Sequence, residues 1–343
     1  MNDGQNSGAV FVQTNEPTNA VIAFRRGADG ELERLGTYET GGAGSGDPHL
    51  PSQGSVTLSG DGRHLLVTNA ASDDVSVFAR ADGAALELVG RAPAGSAPRS
   101  VAEHDGLVYV LSTGKPAVVG LRLTQGGLDP IPGGDVALPS AGADPAQVGV
   151  VPDGSAVIVT DRAADAILSF PMGADGAPGT PEELASSGPT PYGFACTTAG
   201  TLVVTEAFGA RKGEAAVSSY RVDGGRLTPV TRSAGNGRSE ICWAVATDDG
   251  RWAFTTNFAD GAVSRYAIGS DGSVTLDDAA AGITVDGRPG LRDEALTAGS
   301  GYLYALDADS GSVFGWAVGD DGSLSPIGSW GGLPPTAAGL AAV

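Results

Sequence analysis

Glu206 is the residue of this sequence best suited to move a proton. It ends the segment TLVVTE, whereas the equivalent segments elsewhere in the chain end in Asn, Asp or Ser. We expect Phe208 and Tyr192 to lie near it, and loss of hydration there would raise the pKa of the carboxyl group towards that of a general base. Alternatively, Glu206 caps its turn by accepting backbone N–H bonds. His49, in the loop GGAGSGDPHLPSQG, could reach the same place or remain an exposed loop residue.

Several arginines are expected on the same face as Glu206. Arg99 stands where corresponding segments have small or uncharged residues, and Arg211 and Arg238 lie in loops close to Glu206. Because a guanidinium group offers a planar fork of donors, these residues could hold a carboxylate, a phosphate or a developing enolate. Arg292 could extend the group. The alternative is a set of solvated arginines that pair with neighbouring carboxylates.

Aromatic and polar side chains are expected beside these charges. They would pack the carbon skeleton of an organic ligand, although aromatic residues at such positions also fill protein interiors. The adjacent pair Asp293 and Glu294 is a second acidic candidate. We predict catalytic roles for Glu206, His49, Arg99 and Arg238, and substrate-binding roles for Tyr192, Trp243, Gln147, Cys242, Glu294 and Arg211.

Motifs for metals and cofactors are missing from the sequence. It contains no metal-ligand motif, no GxSxG segment and no nucleotide-binding loop. We therefore expect a reaction that needs neither a metal nor a cofactor. Scattered Asp, Asn and Glu residues leave a metal-dependent hydrolase as a further alternative.

The segments that must position these side chains repeat seven times along the chain. Each repeat has a strand ending in a polar anchor, a short turn, an alternating apolar strand and a Gly-rich hairpin. The anchors are Asn15, Asn69, Ser112, Asp161, Glu206, Asn257 and Asp307, at spacings of 43 to 54 residues. Short β patterns with this period are typical of propeller blades. We predict an all-β, seven-bladed β-propeller with four antiparallel strands per blade, forming a single domain over residues 1–343 with residues 1–8 flexible.

The two ends of the chain predict how the ring closes. The sequence begins with a second-strand pattern and ends with AGLAAV, an inner-strand pattern without its sequel. We expect this last strand to complete the first blade, which removes a free sheet edge. For the second blade we predict strands at Gln53 to Leu58, His64 to Thr68, Asp74 to Ala79 and Leu86 to Arg91. The inner-strand starts and the anchors should then share one face of the ring, at the channel mouth.

Composition limits the partners and the location. The formal net charge of −20 argues against nucleic acid and anionic membrane surfaces, which attract basic proteins. No apolar run reaches the length of about 20 residues that a membrane helix needs. The start MNDGQNSG lacks the regions of a signal peptide. We expect a cytoplasmic protein, or a secreted one if a signal peptide has been removed, with a small organic molecule as its partner.

Three segments carry a resemblance to a known family. PYGFACTTAGTLVVTEAFG, ICWAVATDDGRWAFTTNFADGAVSRYAI and GLPPTAAGLAAV resemble the lactonase-like seven-bladed propellers, which include 6-phosphogluconolactonases and carboxymuconate-lactonizing enzymes. The resemblance implies a cofactor-independent hydrolase or cyclase acting on a small anionic or oxygenated substrate. Where the family tends to have a His-Pro-His-Ser segment, this chain has Asp47-Pro48-His49-Leu50 and lacks the second histidine. The alternative is a non-catalytic propeller that binds a small ligand or a protein on the same face.

Overall fold

The computed structural model of the protein describes residues 8–48, 50–51, 53–81 and 83–343. They form seven sheets of four antiparallel strands, arranged as blades around a central channel, so the predicted seven-bladed propeller is confirmed. Residues 1–7 of the segment predicted to be flexible lie outside the described residues, and Gly8 belongs to the first strand. Among the described residues, no helix has the length and apolar character needed to cross a membrane.

The strands of each blade follow one another in the chain, except in the first blade. From the channel outwards, the first three blades are β28 (Ala338–Ala342), β1 (Gly8–Gln13), β2 (Ala20–Arg26) and β3 (Leu32–Glu39); β4 (Val56–Leu58), β5 (His64–Asn69), β6 (Asp74–Arg80) and β7 (Leu86–Pro93); β8 (Pro98–His104), β9 (Leu107–Ser112), β10 (Ala117–Thr124) and β11 (Gly127–Ala137). The fourth and fifth are β12 (Pro145–Val150), β13 (Ala156–Asp161), β14 (Ala166–Pro171) and β15 (Glu182–Ala185); β16 (Pro191–Cys196), β17 (Thr201–Glu206), β18 (Ala216–Asp223) and β19 (Arg226–Gly235). The last two are β20 (Ile241–Ala246), β21 (Trp252–Asn257), β22 (Ala262–Ile268) and β23 (Val274–Ile283); β24 (Leu291–Leu296), β25 (Tyr302–Asp307), β26 (Ser312–Val318) and β27 (Leu324–Trp330).

Apolar side chains on alternating positions hold neighbouring blades together. Val21 of the first blade and Leu65, Val67 and Phe78 of the second are buried in one cluster between the two sheets. Because successive side chains of a strand point to opposite faces, each sheet can bury one set of residues against each neighbour. The predicted strands of the second blade are confirmed to within a few residues. The inner strand differs most, because it begins at Val56 and not at Gln53.

The last strand closes the ring, as the two chain ends predicted. β28 pairs antiparallel with β1, with Phe11 opposite Ala341 and Val12 opposite Leu340. The backbone groups of Ala9 and Val343 exchange two further hydrogen bonds of 2.9 Å. The first blade is therefore built from both ends of the chain, and β1 is not a free edge.

Hydrogen bonds to the outer hairpins also link the blades. The hydroxyl of Tyr109 in the third blade donates to the Gly176 carbonyl in the fourth at 2.7 Å, and that of Tyr304 in the seventh donates to Gly30 in the first at 2.6 Å. Gly30 has a φ of 84°, and a Cβ there would lie 2.6 Å from the Tyr302 ring. A glycine is therefore required at this hairpin, both for the turn and for the close packing of the next blade.

Candidate functional site in the central channel

A cavity of about 500 Å³ occupies one half of the central channel. We call the side of the ring that carries the anchors and the inner-strand starts the anchor face, and the opposite side, with the hairpins between inner and second strands, the hairpin face. The cavity extends from Gln53, Gln147 and Glu294 towards the hairpin face, where it reaches the exposed residue Asp248. Small side chains leave this space open, among them Ala102, Gly149, Ala195, Ala244, Ala246, Ala295 and Ala341.

Two glutamine side chains form the inner end of the cavity. The amide of Gln53 crosses the channel from the second blade to the sixth, where it donates to the Ala244 carbonyl at 2.8 Å and accepts from the Ala244 N–H at 3.2 Å. The amide of Gln147 likewise donates to the Phe194 carbonyl of the neighbouring fifth blade at 3.0 Å and accepts from the Phe194 N–H at 2.6 Å. The strand pairing is irregular just before Ala244 and just before Phe194. The two glutamine side chains therefore satisfy backbone groups that the strand pairing leaves without partners at these points.

Asp293 occupies the corresponding irregularity of β24. Its carboxylate accepts hydrogen bonds from the backbone N–H groups of Glu294 at 2.9 Å and Leu340 at 3.3 Å, and from that of Gly54. Burial raises the pKa of Asp293 to about 7, although the three N–H donors oppose that shift. A carboxylate has about four acceptor sites. Asp293 can therefore accept a further hydrogen bond from a molecule in the cavity.

Glu294 lines the same cavity without a hydrogen-bond partner. The residue is 2% exposed, and both carboxyl oxygens are buried with no donor from the described part of the chain. Burial raises the pKa of Glu294 well above its usual value, and the neighbouring Asp293 charge adds to the effect. A carboxyl group in such surroundings favours the protonated form, which can donate a hydrogen bond or a proton. The pair thus combines an acceptor and a donor at adjacent positions.

Side chains at the inner-strand starts and one loop pack together on the anchor-face side of the cavity. The rings of Tyr192 and Trp243 lie 4.8 Å apart and are both buried. Leu50 packs against Ala70 and Ala338. Arg292 donates a hydrogen bond to the Pro48 carbonyl, which ties the loop between the first two blades to the seventh.

Glu206 lies inside its blade and is not among the described residues that line the cavity. Its carboxylate accepts hydrogen bonds from the Gly188 N–H at 2.7 Å and from the Ser218 and Ser233 hydroxyls at 2.6 Å each. Burial raises the pKa of Glu206, as predicted, and these three donors oppose the shift. The arrangement matches the alternative in which Glu206 satisfies local donors, and it joins β17 to β18, to β19 and to the loop before β16. Its predicted catalytic role stays a prediction.

The predicted arginines do not line the cavity in the described structure either. Arg211 pairs with Glu214 at 3.1 Å and lies over the Phe208 ring, and Arg238 pairs with Asp260 at 3.7 Å. Both follow the alternative of local pairing with carboxylates. Arg99 lies half-buried near the start of β8.

The remaining predicted residues are divided between the two halves of the channel. Gln147 and Glu294 line the cavity, whereas Tyr192, Trp243 and Cys242 pack together in the hydrophobic core shared by the fifth and sixth blades. Burial raises the pKa of Cys242 to about 12, so a thiolate is disfavoured near neutral pH. His49 lies outside the described residues. No group of three or more His, Cys, Asp or Glu side chains suited to a metal ion occurs among the residues that the structure describes.

The sequence predicts the acidic pair and Gln147 as site residues but not the rest of the cavity lining. Gln53, Glu103 and Asp248 also line the cavity, and the sequence pattern does not predict them as site residues. The signal that could have identified this half of the channel is the row of small residues towards the ends of the inner strands, as in Ala244-Val245-Ala246 and Leu340-Ala341-Ala342.

Comparison with known proteins agrees with this architecture. Residues 5–119, about a third of the chain, match the family described as Lactonase, 7-bladed beta-propeller. A structure from Bacteroides uniformis assigned as a 6-phosphogluconolactonase has 20% identity and a TM-score of 0.76, with 97% of this chain and 99% of that chain covered. Its counterpart from Bacteroides fragilis has 18% identity and a TM-score of 0.75, with 99% and 98% covered. The periplasmic gluconolactonase of Pseudomonas aeruginosa has 16% identity and a TM-score of 0.75, with 98% and 99% covered. No curated protein matches the chain in sequence.

The fold and the channel define a propeller with an acid-lined cavity at its centre. At identities of 20% or below, the structural matches show the fold alone. Together with the family match over residues 5–119, they support the resemblance to lactonase-like propellers that the sequence predicted, in a chain whose fold is a seven-bladed β-propeller.

Proposed function

We propose that the protein is a hydrolase of small lactones whose acid–base pair is Asp293 and Glu294. The observation that carries this proposal is the buried Glu294 carboxyl group, which has no described hydrogen-bond partner and lines a cavity of about 500 Å³ beside a carboxylate held by backbone N–H groups. Buried carboxyl groups with raised pKa values are common at catalytic sites. The match to a lactonase family and the likeness to a gluconolactonase structure support a lactone as the substrate class.

The two carboxyl groups have complementary roles in this proposal. Ionised Asp293 accepts a proton from water as the water oxygen attacks the lactone carbonyl carbon. Protonated Glu294 donates its proton to the ring oxygen as the ring C–O bond breaks, which gives a hydroxy acid. Both groups are fully buried, but only Asp293 has N–H donors that stabilise its anion. The proton gained by Asp293 therefore returns to Glu294 after the reaction.

Two isosteric variants distinguish this site from the one expected on the anchor face. Once a purified preparation hydrolyses a lactone from a panel of five- and six-membered sugar lactones, we expect Glu294→Gln to lower kcat by about 10²- to 10⁴-fold, the range for loss of a general acid. Glu206→Gln tests the rival assignment. The measurement is the initial rate of lactone consumption, with circular dichroism used to show that both variants are folded.

The exposed Glu33→Gln variant is the control for a change of charge elsewhere on the molecule. If Glu206→Gln abolishes turnover and Glu294→Gln does not, the catalytic pair belongs to the anchor face and our proposal is wrong.

A non-catalytic propeller is the second candidate. The local pairing of Arg211 and Arg238 supports it, since paired arginines are less available to hold a reacting anion on the anchor face. This candidate predicts that no lactone or diacid is turned over, while a ligand still raises the melting temperature. The same panel, assayed for turnover and for thermal shift, separates the two functions.

A further inference from the structure

Every charged side chain that lines the described cavity is acidic. Asp293 and Glu294 lie at its inner end, and Glu103 and Asp248 lie towards the hairpin face. The described lining contains no Lys, Arg or His. A ligand in this cavity is therefore surrounded by four acidic residues and by no basic residue of the described lining.

Hydrogen bonds fix the two outer carboxylates at the entrance. Glu103 accepts from the N–H groups of Gly60 and Gly106, at 2.6 Å each. Asp248 accepts from the Gly299 N–H at 2.7 Å. Glu103 belongs to the third blade and Asp248 follows the inner strand of the sixth, so they stand on opposite sides of a seven-bladed ring. A molecule entering from the hairpin face passes between them.

Such an entrance discriminates by charge. Charges within a cleft interact more strongly than charges in bulk water, because the walls have a low dielectric constant and focus the field. Salt weakens this effect, with a Debye length of about 8 Å at physiological ionic strength. A neutral lactone meets no net repulsion, whereas a phosphate or carboxylate group is repelled.

We propose that Glu103 and Asp248 form a charge filter that admits neutral lactones, excludes lactones bearing phosphate or carboxylate, and expels the hydroxy acid that hydrolysis produces. This inference rests on the proposed function for the reaction itself. Opening a neutral lactone yields a carboxylate and a proton, so the reaction creates an anion inside an acidic cavity. The filter thus speeds product release and works against ring closure of diacids, which would have to enter as anions.

The test compares one lactone in two charge states. The probes are glucono-δ-lactone and its 6-phosphate, and the measured quantity is the ratio of their kcat/KM values at low salt. Because a charged cleft changes association rates by about 10- to 10³-fold, we expect the wild-type ratio to favour the neutral lactone by at least about 100-fold. The double variant Glu103→Gln/Asp248→Asn should lower this ratio by at least about tenfold, and 0.5 M NaCl added to the wild type should do the same because salt screens the charges. A smaller amount of folded protein lowers both kcat/KM values equally and leaves their ratio unchanged.

Equal kcat/KM for the two lactones, or a ratio unchanged by both the variant and salt, would overturn the filter. If the variant does not fold, the effect of salt on the wild-type ratio still tests the filter. If no lactone is hydrolysed, the proposed function fails and calorimetry tests the filter separately. In that case we expect wild-type protein to bind the neutral lactone and not gluconate 6-phosphate, and equal binding of both, or of neither, would refute it.

Discussion

Deletion of residues 338–343 is expected to abolish the cooperative native state. The deletion removes every partner of β1 on its channel side, including the pairs of Phe11 with Ala341 and of Val12 with Leu340. It also uncovers apolar residues of β1 that are completely buried in the closed ring. Small domains are stable by only roughly 5–15 kcal/mol, so losing a whole strand and its packing is comparable to the total. Urea denaturation followed by circular dichroism measures the effect.

A synthetic peptide with the sequence of residues 338–343 provides the control for this deletion. Strands can be added to an exposed sheet edge from a separate chain. The peptide should therefore restore part of the transition in a concentration-dependent way, and a scrambled peptide of the same composition should not. A truncated protein that unfolds at the same urea concentration as the wild type would show that the closing strand contributes little.

Glu294→Gln is expected to make the free energy of unfolding depend less on pH between pH 5 and 7. The pKa values of Asp293 and Glu294 are higher in the folded protein than in an unfolded chain, so the folded state binds more protons in this range. Their stabilising contribution is complete below their unfolded pKa values, near 4, and is lost as pH rises through the folded values, about 7 for Asp293. Each such group lowers the free energy of unfolding by about 1.4 kcal/mol per pH unit. We expect the two together to contribute about twice that slope in the wild type and only the Asp293 part in the variant.

Denaturant titrations at pH 5, 6, 7 and 8 provide the measurement. Burial also raises the pKa values of Glu206 and Asp260, but these groups are the same in both proteins and cancel from the comparison. Glu33→Gln, a change on the exposed face of β3, is the matched control for the removal of one carboxyl group elsewhere. Equal slopes for the wild type and Glu294→Gln would mean that the buried carboxyl group titrates normally.

The two buried carboxyl groups of the candidate site therefore lower the stability of the folded protein at neutral pH. The Glu294→Gln variant should be more stable than the wild type at pH 8 and less active at the same pH. Many enzymes show this trade-off, because groups arranged for catalysis are not those that stabilise the fold best. A combined gain in stability and loss of turnover would be difficult to explain if Glu294 were a purely structural residue.

The fold could be predicted from local patterns because blades repeat. The anchors and the alternating strands are read within short windows, and the N-terminal second strand and C-terminal inner strand together require closure. The sequence pattern predicts the inner strand of the second blade from Gln53, three residues before its observed start at Val56, because it does not show that the Gln53 side chain crosses the channel. That contact joins residues 191 positions apart, and no local pattern indicates it.

The candidate site was harder to predict for a similar reason. The repeat places Glu206 and Glu294 near the anchor face, but their surroundings depend on side chains from other segments. Glu206 meets three donors, two of them hydroxyls from β18 and β19, whereas Glu294 meets none from the described residues. The half of the channel that stays open depends on side-chain volumes in all seven inner strands at once. Residue types at the two acidic positions therefore predicted chemistry without deciding between them.

The pairing of β1 with β28 also has a consequence for synthesis on the ribosome. The segment Gly8–Gln13, GAVFVQ, is uncharged and is buried at all six positions in the finished ring. Its partner is the last strand of a chain of 343 residues, and ribosomes add roughly 5–20 residues per second. For tens of seconds, this apolar strand emerges from the ribosome without its final neighbour, in a form that readily pairs with strands of other chains. Slower translation or a shortage of chaperones should therefore favour aggregation of nascent chains, even though the completed protein exposes no such edge.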